Sequence, residues 1–184
     1  MTPFAIRPME PADLDAVLSV AALSSEVPQW QASSYSSYLV ANSEPPLVRA
    51  AFVAVSDRDD SEPAVLGFAA ISLVRDGDLN LCELDSMAVH PRARRQGLGA
   101  ALLRAIFVWA HQHGARKLAL EVRAGNAAAI RLYERFGMRR EGHRTRYYAH
   151  PEEDALLLGM AVTTVLGSPS FSTEKEVEGG PPQC

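Results

Sequence analysis

A strand-like run ending at Val89 is followed by a basic stretch, His90-Pro91-Arg92-Ala93-Arg94-Arg95-Gln96. Gly97-Leu98-Gly99-Ala100 then opens an apolar-striped helix. This junction constrains the fold more than any other feature. A strand feeding a helix through a tight turn is the repeating unit of an α/β sheet. Glycine at the helix start lets the backbone come close to a ligand and leaves several N–H groups pointing outward. The helix dipole adds partial positive charge there, so a pyrophosphate is the natural guest, and Arg92, Arg94 and Arg95 supplement the charge. Two other phosphate motifs are excluded. No Gly-Lys-Ser/Thr follows the turn, and Leu102 stands where a dinucleotide fingerprint needs its third glycine. An ordinary glycine-containing helix start with solvated arginines is the alternative, and the preceding strand with its three arginines favours phosphate.

The flanking segments supply the rest of a sheet. Phe4 to Met9 reads as a strand, and Pro11-Ala12-Asp13 opens a helix to about Leu23, with Leu14, Val17, Leu18 and Ala21 on one face. A loop through Val27, Pro28 and Trp30 precedes a weaker helix over Ser34 to Ala41. Val48–Val55, Val65–Val74 and Leu79–Val89 read as strands joined by the polar turns Asp57 to Ser61 and Arg75 to Asp78, an antiparallel run. Gly97 to His113 is a helix stopped by Gly114. Lys117–Arg123 is a strand, and Asn126 caps a short helix to Phe136, closed by Gly137. Met138–Tyr148 and Ala155–Val162 form a last pair around His150 to Glu153. Strand–helix alternation favours parallel pairing in this half. The expected fold is α/β, a mixed twisted sheet of about seven strands flanked by about four helices.

The chain has 184 residues, enough for one well-buried domain. From Gly167 to Cys184 the sequence turns to Gly, Pro, Ser and Glu, so one domain over residues 1–166 and a disordered tail over 167–184 are expected. A formal net charge of -4 argues against a general nucleic-acid binder, although arginines cluster locally. Cys82 and Cys184 make neither a disulfide framework nor a metal pattern, so no metal is implied. The N-terminus lacks a basic, then apolar leader, and Arg104 interrupts the best membrane-span candidate. A cytoplasmic protein with no membrane partner is expected. Oligomeric state has no signal in the sequence.

One charged residue sits in an apolar strand. Glu121 interrupts Leu118-Ala119-Leu120-Val122, where a carboxylate needs a partner or a wet cleft. An ion pair with Arg123 or with an arginine on the next strand explains it as well as a catalytic role does. Seven residues after Asn126, Tyr133 projects from the same helix face, either toward a ligand or into the core.

The run Arg94 to Ala100 matches the Q/R-x-x-G-x-G/A signature of the GNAT (Gcn5-related N-acetyltransferase) superfamily. Leu120-Glu121-Val122-Arg123-Ala124-Gly125-Asn126 through Tyr133 to Met138 resembles the RimI branch, bacterial N-terminal acetyltransferases of a small-subunit ribosomal protein. Arg146-Tyr147-Tyr148 and Glu153-Asp154-Ala155 extend the likeness, which covers about Phe4 to Val162 at fold level.

The resemblance implies the GNAT fold with a V-shaped splay between the fourth and fifth strands. It also implies acetyl-CoA as cosubstrate, bound by Arg94, Arg95, Gln96, Gly97, Leu98, Gly99, Ala100 and Asn126, and by the backbone of Met87, Ala88 and Val89. Glu121 would be the general base and Tyr133 the general acid, with Glu83 the rival base because many superfamily members place theirs on that strand. Val27, Pro28 and Trp30 on one side and Tyr147 and Tyr148 on the other would grip a peptide. Gln29, between Pro28 and Trp30, departs from the usual pattern. The implied reaction is acetylation of a protein N-terminus, with an alanine-starting ribosomal protein as leading substrate. Acetylation of a small-molecule amine and a catalytically silent acyl-CoA-binding module are the alternatives, the second disfavoured by having both Glu121 and Tyr133.

Overall fold

The structure, a computed structural model, describes residues 4–39, 46–56, 65–75 and 80–163. The chain runs β1 (Phe4–Pro8), α1 (Leu14–Ala22), α2 (Ala32–Ser36), β2 (Leu47–Ser56), β3 (Val65–Val74) and β4 (Leu81–Val89). It continues with α3 (Leu98–Gln112), β5 (Lys117–Arg123), α4 (Ala127–Arg135), β6 (Arg139–Ala149) and β7 (Glu152–Ala161). The seven strands form one sheet in the order β1-β2-β3-β4-β5-β7-β6. The expected α/β fold with about seven strands and four helices is what forms.

Pairing in the second half differs from expectation. Only β4 and β5 are parallel, while β5–β7 and β6–β7 are antiparallel. The reason lies in the last hairpin. β6 follows α4 but lies outside β7, so β7 is inserted between β5 and β6. The second helix lies over Ala32–Ser36, earlier than expected, and the expected residues Val40 and Ala41 lie outside the described residues. So do the Asp57 to Ser61 turn, most of the Arg75 to Asp78 turn and the tail.

Two apolar clusters sandwich the sheet. Leu98, Leu102, Leu103 and Ile106 of α3 pack with Ile130 and Tyr133 of α4 and with Leu118, Leu120 and Val122 of β5. Val17, Val20 and Ala21 of α1 pack with Tyr35, Tyr38 and Phe68 on the other face. The alternation along β5 therefore places Ala119, Glu121 and Arg123 on the α1–α2 face. Near the N-terminus, Arg7 and Asp13 make a two-pronged pair at 2.6 and 2.7 Å, and Asp13 is buried. The hydrogen bonds from Arg7 hold the Asp13 carboxyl below the ordinary carboxylate range despite its burial.

Candidate active site

The parallel pair β4–β5 is short. It runs only from Leu81↔Lys117 to Leu84↔Leu120, whereas β4 continues to Val89 and β5 to Arg123. Beyond Leu84 and Leu120 the strands part, as expected of a splay between the fourth and fifth strands. Met87, Ala88 and Val89 still pair with β3, which satisfies one edge of β4 and leaves the other turned to the opening. An extended arm with amide groups fits that edge. A β-bulge marks the point of parting, where Ile71 faces Leu84, Ala70 faces Ser86, and Asp85 is the extra residue.

Above the opening, the basic turn leads into α3. Gly97 has φ 91°, and a Cβ there would meet nothing within 4 Å, so glycine is required by the left-handed backbone rather than by crowding. Arg95 also has a positive φ, 61°. Two consecutive corners of unusual backbone shape this loop. The arginines divide in role. Arg94 donates to the Val89 carbonyl at 3.2 Å and to Ser24 Oγ at 3.4 Å, bridging the end of β4 to the loop after α1. Arg92 and Arg95 are exposed, Gln96 donates to the Arg92 carbonyl, and Arg92 N–H donates to His90 Nδ1. Leu98 is buried in the core. Gly99 serves packing, because a Cβ there would come within 3.2 Å of Leu132 on α4. An open concave helix start flanked by exposed guanidiniums fits a diphosphate.

Glu121 is the first β5 residue past the last β4 pair. Its Oε1 accepts from Arg144 Nε at 2.8 Å, with the two side chains 29% and 56% exposed. Tyr147 also bonds to Glu121, which pushes the Tyr147 phenol up. The ion pair with an arginine from the next hairpin, one reading of the sequence, is therefore present. It leaves a half-buried carboxylate at the opening with an exposed, displaceable partner. Glu83, two residues before the bulge, is exposed. Asp85 is more enclosed: its Oδ2 is buried without a hydrogen-bond partner among the described residues. Burial raises the Asp85 carboxyl to about 6; Glu83 adds to the shift, and Ser72, Tyr38 and Arg49 oppose it. The sequence reading missed Asp85, and the only signal for it was a second charge in an otherwise alternating strand.

Tyr133 lies across the sheet from Glu121, 6% exposed within the α3–α4 cluster. Burial, with a smaller contribution from Tyr148, pushes its phenol up, so it stays protonated. Asn126 caps α4, its Oδ1 accepting from Ala129 N–H at 3.1 Å. Tyr148 lies within electrostatic reach of both Tyr133 and Glu121.

The loop after α1 faces this assembly. Trp30 stacks on Tyr38 at 5.6 Å and leans on Tyr35 at 5.3 Å, so it takes part in the α2 packing, and Val27 packs beside it while Pro28 is exposed. Gln29, the residue that departs from the RimI-like pattern, is exposed, and its amide donates to the carbonyls of Ala21, Ser24 and Val27 and so braces the loop. Opposite, Tyr147 is 48% exposed and meets Tyr148 edge-on at 5.1 Å. A cavity of about 440 Å³ lies between Ser25 and Glu26 of the loop after α1, the β5–α4 corner at Arg123 and Asn126, and Pro151 and Glu153 of the last hairpin. Among the described residues no cluster of His, Cys, Asp or Glu is placed to hold a metal, and no helix is long and apolar enough to cross a membrane.

A parallel strand pair that opens beside a glycine-led helix is the architecture of an acyltransferase fed by a coenzyme A thioester. The chain belongs to the Acetyltransferase (GNAT) family, whose model matches residues 18–138. It is an acetyl-CoA-dependent N-acetyltransferase. A Bacillus subtilis (strain 168) protein, provisionally named a ribosomal protein bS18-alanine N-acetyltransferase, is 32% identical over 161 residues, 88% of this chain and 97% of the relative. The ribosomal protein bS18-alanine N-acetyltransferase of Escherichia coli (strain K12) is 40% identical over 87 residues, 46% of this chain and 59% of that protein. The crystal structure of the Escherichia coli ribosomal-protein-S18-alanine N-acetyltransferase superposes with a TM-score of 0.69 at 27% identity, covering 92% of this chain and 100% of that one. Arabidopsis thaliana NAA60 in complex with acetyl-CoA shares the fold with a TM-score of 0.75 at 20% identity, covering 86% and 98%.

Proposed function

We propose that the enzyme moves acetyl from acetyl-CoA to the N-terminal α-amine of a protein, with an alanine-starting ribosomal protein as leading substrate. The observation that carries this reading is the pair flanking the parted strands, Glu121 on the α1–α2 face and buried Tyr133 on the other. The bS18-alanine acetyltransferases to which the chain is similar support the substrate class. Arg95, Gln96, Gly97 and Ala100 line the diphosphate's place, Leu98 and Gly99 pack the helix that presents them, and Arg94 braces the turn. The edge of Met87, Ala88 and Val89 and the start of α4 at Asn126 would flank the pantetheine arm.

The chemistry balances with these groups. The amine nitrogen attacks the thioester carbonyl carbon, the carbon–sulfur bond breaks, and an amide and a thiol result. An α-amine titrates near ~8, so it needs only a modest base to shed its proton. Glu121 accepts that proton, directly or through water, after the substrate ammonium takes the place of Arg144. Tyr133 faces the departing sulfur. The phenol, kept protonated by burial, hydrogen-bonds the departing thiolate; as the tetrahedral adduct collapses, the nitrogen's second proton leaves and replaces the one that Tyr133 passes to the sulfur, so a thiol and a neutral phenol result. Val27, Pro28 and Trp30 and the pair Tyr147–Tyr148 form the two lips that hold the peptide.

A second reading, acetylation of a small-molecule amine, draws on Glu83, Asp85 and Glu121, which put three carboxylates on the substrate face. Initial rates with acetyl-CoA, peptides starting Ala or Ser, and a panel of free polyamines and aminoglycosides decide between them. Faster acetylation of the peptides supports the proposal. Turnover confined to the free amines refutes it.

A further inference from the structure

Arg123 has no part in the proposed acetyl transfer, although its side chain is only 14% exposed and it stands three residues before Asn126. Both terminal nitrogens of its guanidinium are engaged. Nη1 reaches Glu153 Oε2 at 3.2 Å and the Pro151 carbonyl at 3.4 Å, Nη2 reaches the His150 carbonyl at 3.2 Å, and the Cζ atom lies 4.1 Å over the Tyr148 ring. One planar fork therefore ties down both carbonyls of the β6–β7 turn and one tyrosine of the peptide lip. Lysine has no equivalent geometry, since only a planar guanidinium can lie flat on a ring while donating in its own plane to several acceptors.

Glu153 continues the connection. Its other oxygen, Oε1, accepts from the Gly125 N–H. A Cβ at Gly125 would lie 2.7 Å from that oxygen, so glycine at this position lets the carboxylate reach the backbone. Beside it, Ala124 N–H donates to the Asp154 carbonyl at 3.0 Å, and Asp154 Oδ1 accepts from Arg146 N–H at 2.8 Å. Arg146 has a φ of 52°, at the irregular stretch of β6 that delivers Tyr147 and Tyr148. The β5–α4 corner and the hairpin that carries the tyrosines are thus joined by side chain, backbone and ring contacts, and the joint walls the cavity.

We infer that Arg123 and Glu153 are positioning residues for the acceptor. They hold Tyr148 and the 150–153 turn against the β5–α4 corner, so the amine's approach is set from the segment that also starts α4. This rests on the acetyltransferase reading and on Tyr148 forming part of the acceptor lip. Losing part of the acceptor's grip raises its apparent KM, and misaligning its approach lowers kcat/KM further, while the cofactor still binds normally.

The test uses the full chain and the variants Arg123→Lys, Arg123→Met and the milder Glu153→Gln, with acetyl-CoA and the best peptide acceptor. Each variant is expected to raise the peptide KM about tenfold, as expected for a lost positioning contact, while acetyl-CoA affinity by calorimetry stays within about twofold. The Arg123→Met/Glu153→Gln double variant should be no worse than the worse single, because both remove one joint. Unchanged KM in Glu153→Gln and Arg123→Lys overturns the inference, as does a fall in cofactor affinity that tracks thermal stability. Hydrogen exchange of amides 149–155 is read on the same proteins without substrate. Faster exchange there, confined to this hairpin, supports the joint, and unaltered exchange overturns it even if the wild type acetylates no peptide, an outcome that sinks only the peptide reading.

Discussion

The two halves of the site are made of different materials. On the side proposed for the cofactor, between the end of β4 and the start of α3, the shape is set by backbone: a left-handed Gly97, a left-handed Arg95, and a strand edge at Met87 to Val89 left open where β5 turns away. On the side proposed for the acceptor, shape is set by side chains that are distant in sequence, Glu121 with Arg144 and Arg123 with Glu153. Backbone geometry is dictated by a few contiguous residues. Side-chain geometry depends on strand register, here the insertion of β7 between β5 and β6. A family can therefore keep one half as a short motif and vary the other.

Substitutions can break or sharpen this contrast. Gly97→Trp forces a Cβ into a left-handed backbone and a ring over the helix start. Acetyl-CoA affinity by calorimetry should fall by more than about a hundredfold, because both strain and access act together. Tyr133→Phe removes only a hydroxyl, so kcat should fall about ten- to a hundredfold with cofactor affinity unchanged, as expected for one acid or hydrogen-bond donor. Wild-type acetyl-CoA affinity with a full-rate Tyr133→Phe enzyme would limit Tyr133 to packing.

Two further changes act on the frame rather than on the reaction. Asp13→Ala strands the Arg7 guanidinium and should lower stability by about 2 kcal/mol, less than the cost of a wholly buried pair because Arg7 is partly exposed. Asp13 has a lowered carboxyl pKa, so its contribution is present above the unfolded pKa and disappears as pH falls through the folded one. Asp85 has the opposite sign. Its carboxyl is raised to about 6, so the native state binds the extra proton and wild-type stability declines as pH rises from about 4 to 6. Asp85→Asn should therefore unfold later than wild type at pH 7.5, by about 1–2 kcal/mol, and lose that advantage near pH 4. Thermal melts at the two pH values measure it, and a pH-independent difference would show that Asp85 is not held near neutral by burial.

The contrast also explains what could be read from the sequence. The run Val89 to Ala100 announced a strand, a turn and a glycine-led helix because Gly97 must be glycine for backbone reasons alone. The caps at Asn126 and Gly137 were equally local. The partner of Glu121 was legible only as a class, an arginine on a neighbouring strand; that it is Arg144 follows from β6 folding back outside β7. Trp30 read as a peptide lip from its family position, and its stacking on Tyr38 and Tyr35 appears only once α2 is placed. Gly99 read as part of a ligand turn, whereas its closeness to Leu132 gives it a packing duty that no single-segment pattern encodes. Gln29 looked like a departure from pattern and proves to be the loop's brace.

One comparison tests the account at its centre: steady-state rates of Glu121→Gln and Glu83→Gln at saturating acetyl-CoA with a peptide acceptor. Loss of a positioned proton acceptor should lower kcat of Glu121→Gln by about a hundredfold or more, with coenzyme A affinity intact and Glu83→Gln close to wild type. A fully active Glu121→Gln beside an inactive Glu83→Gln would move the proton acceptor to β4 and leave the Glu121–Arg144 pair a structural one.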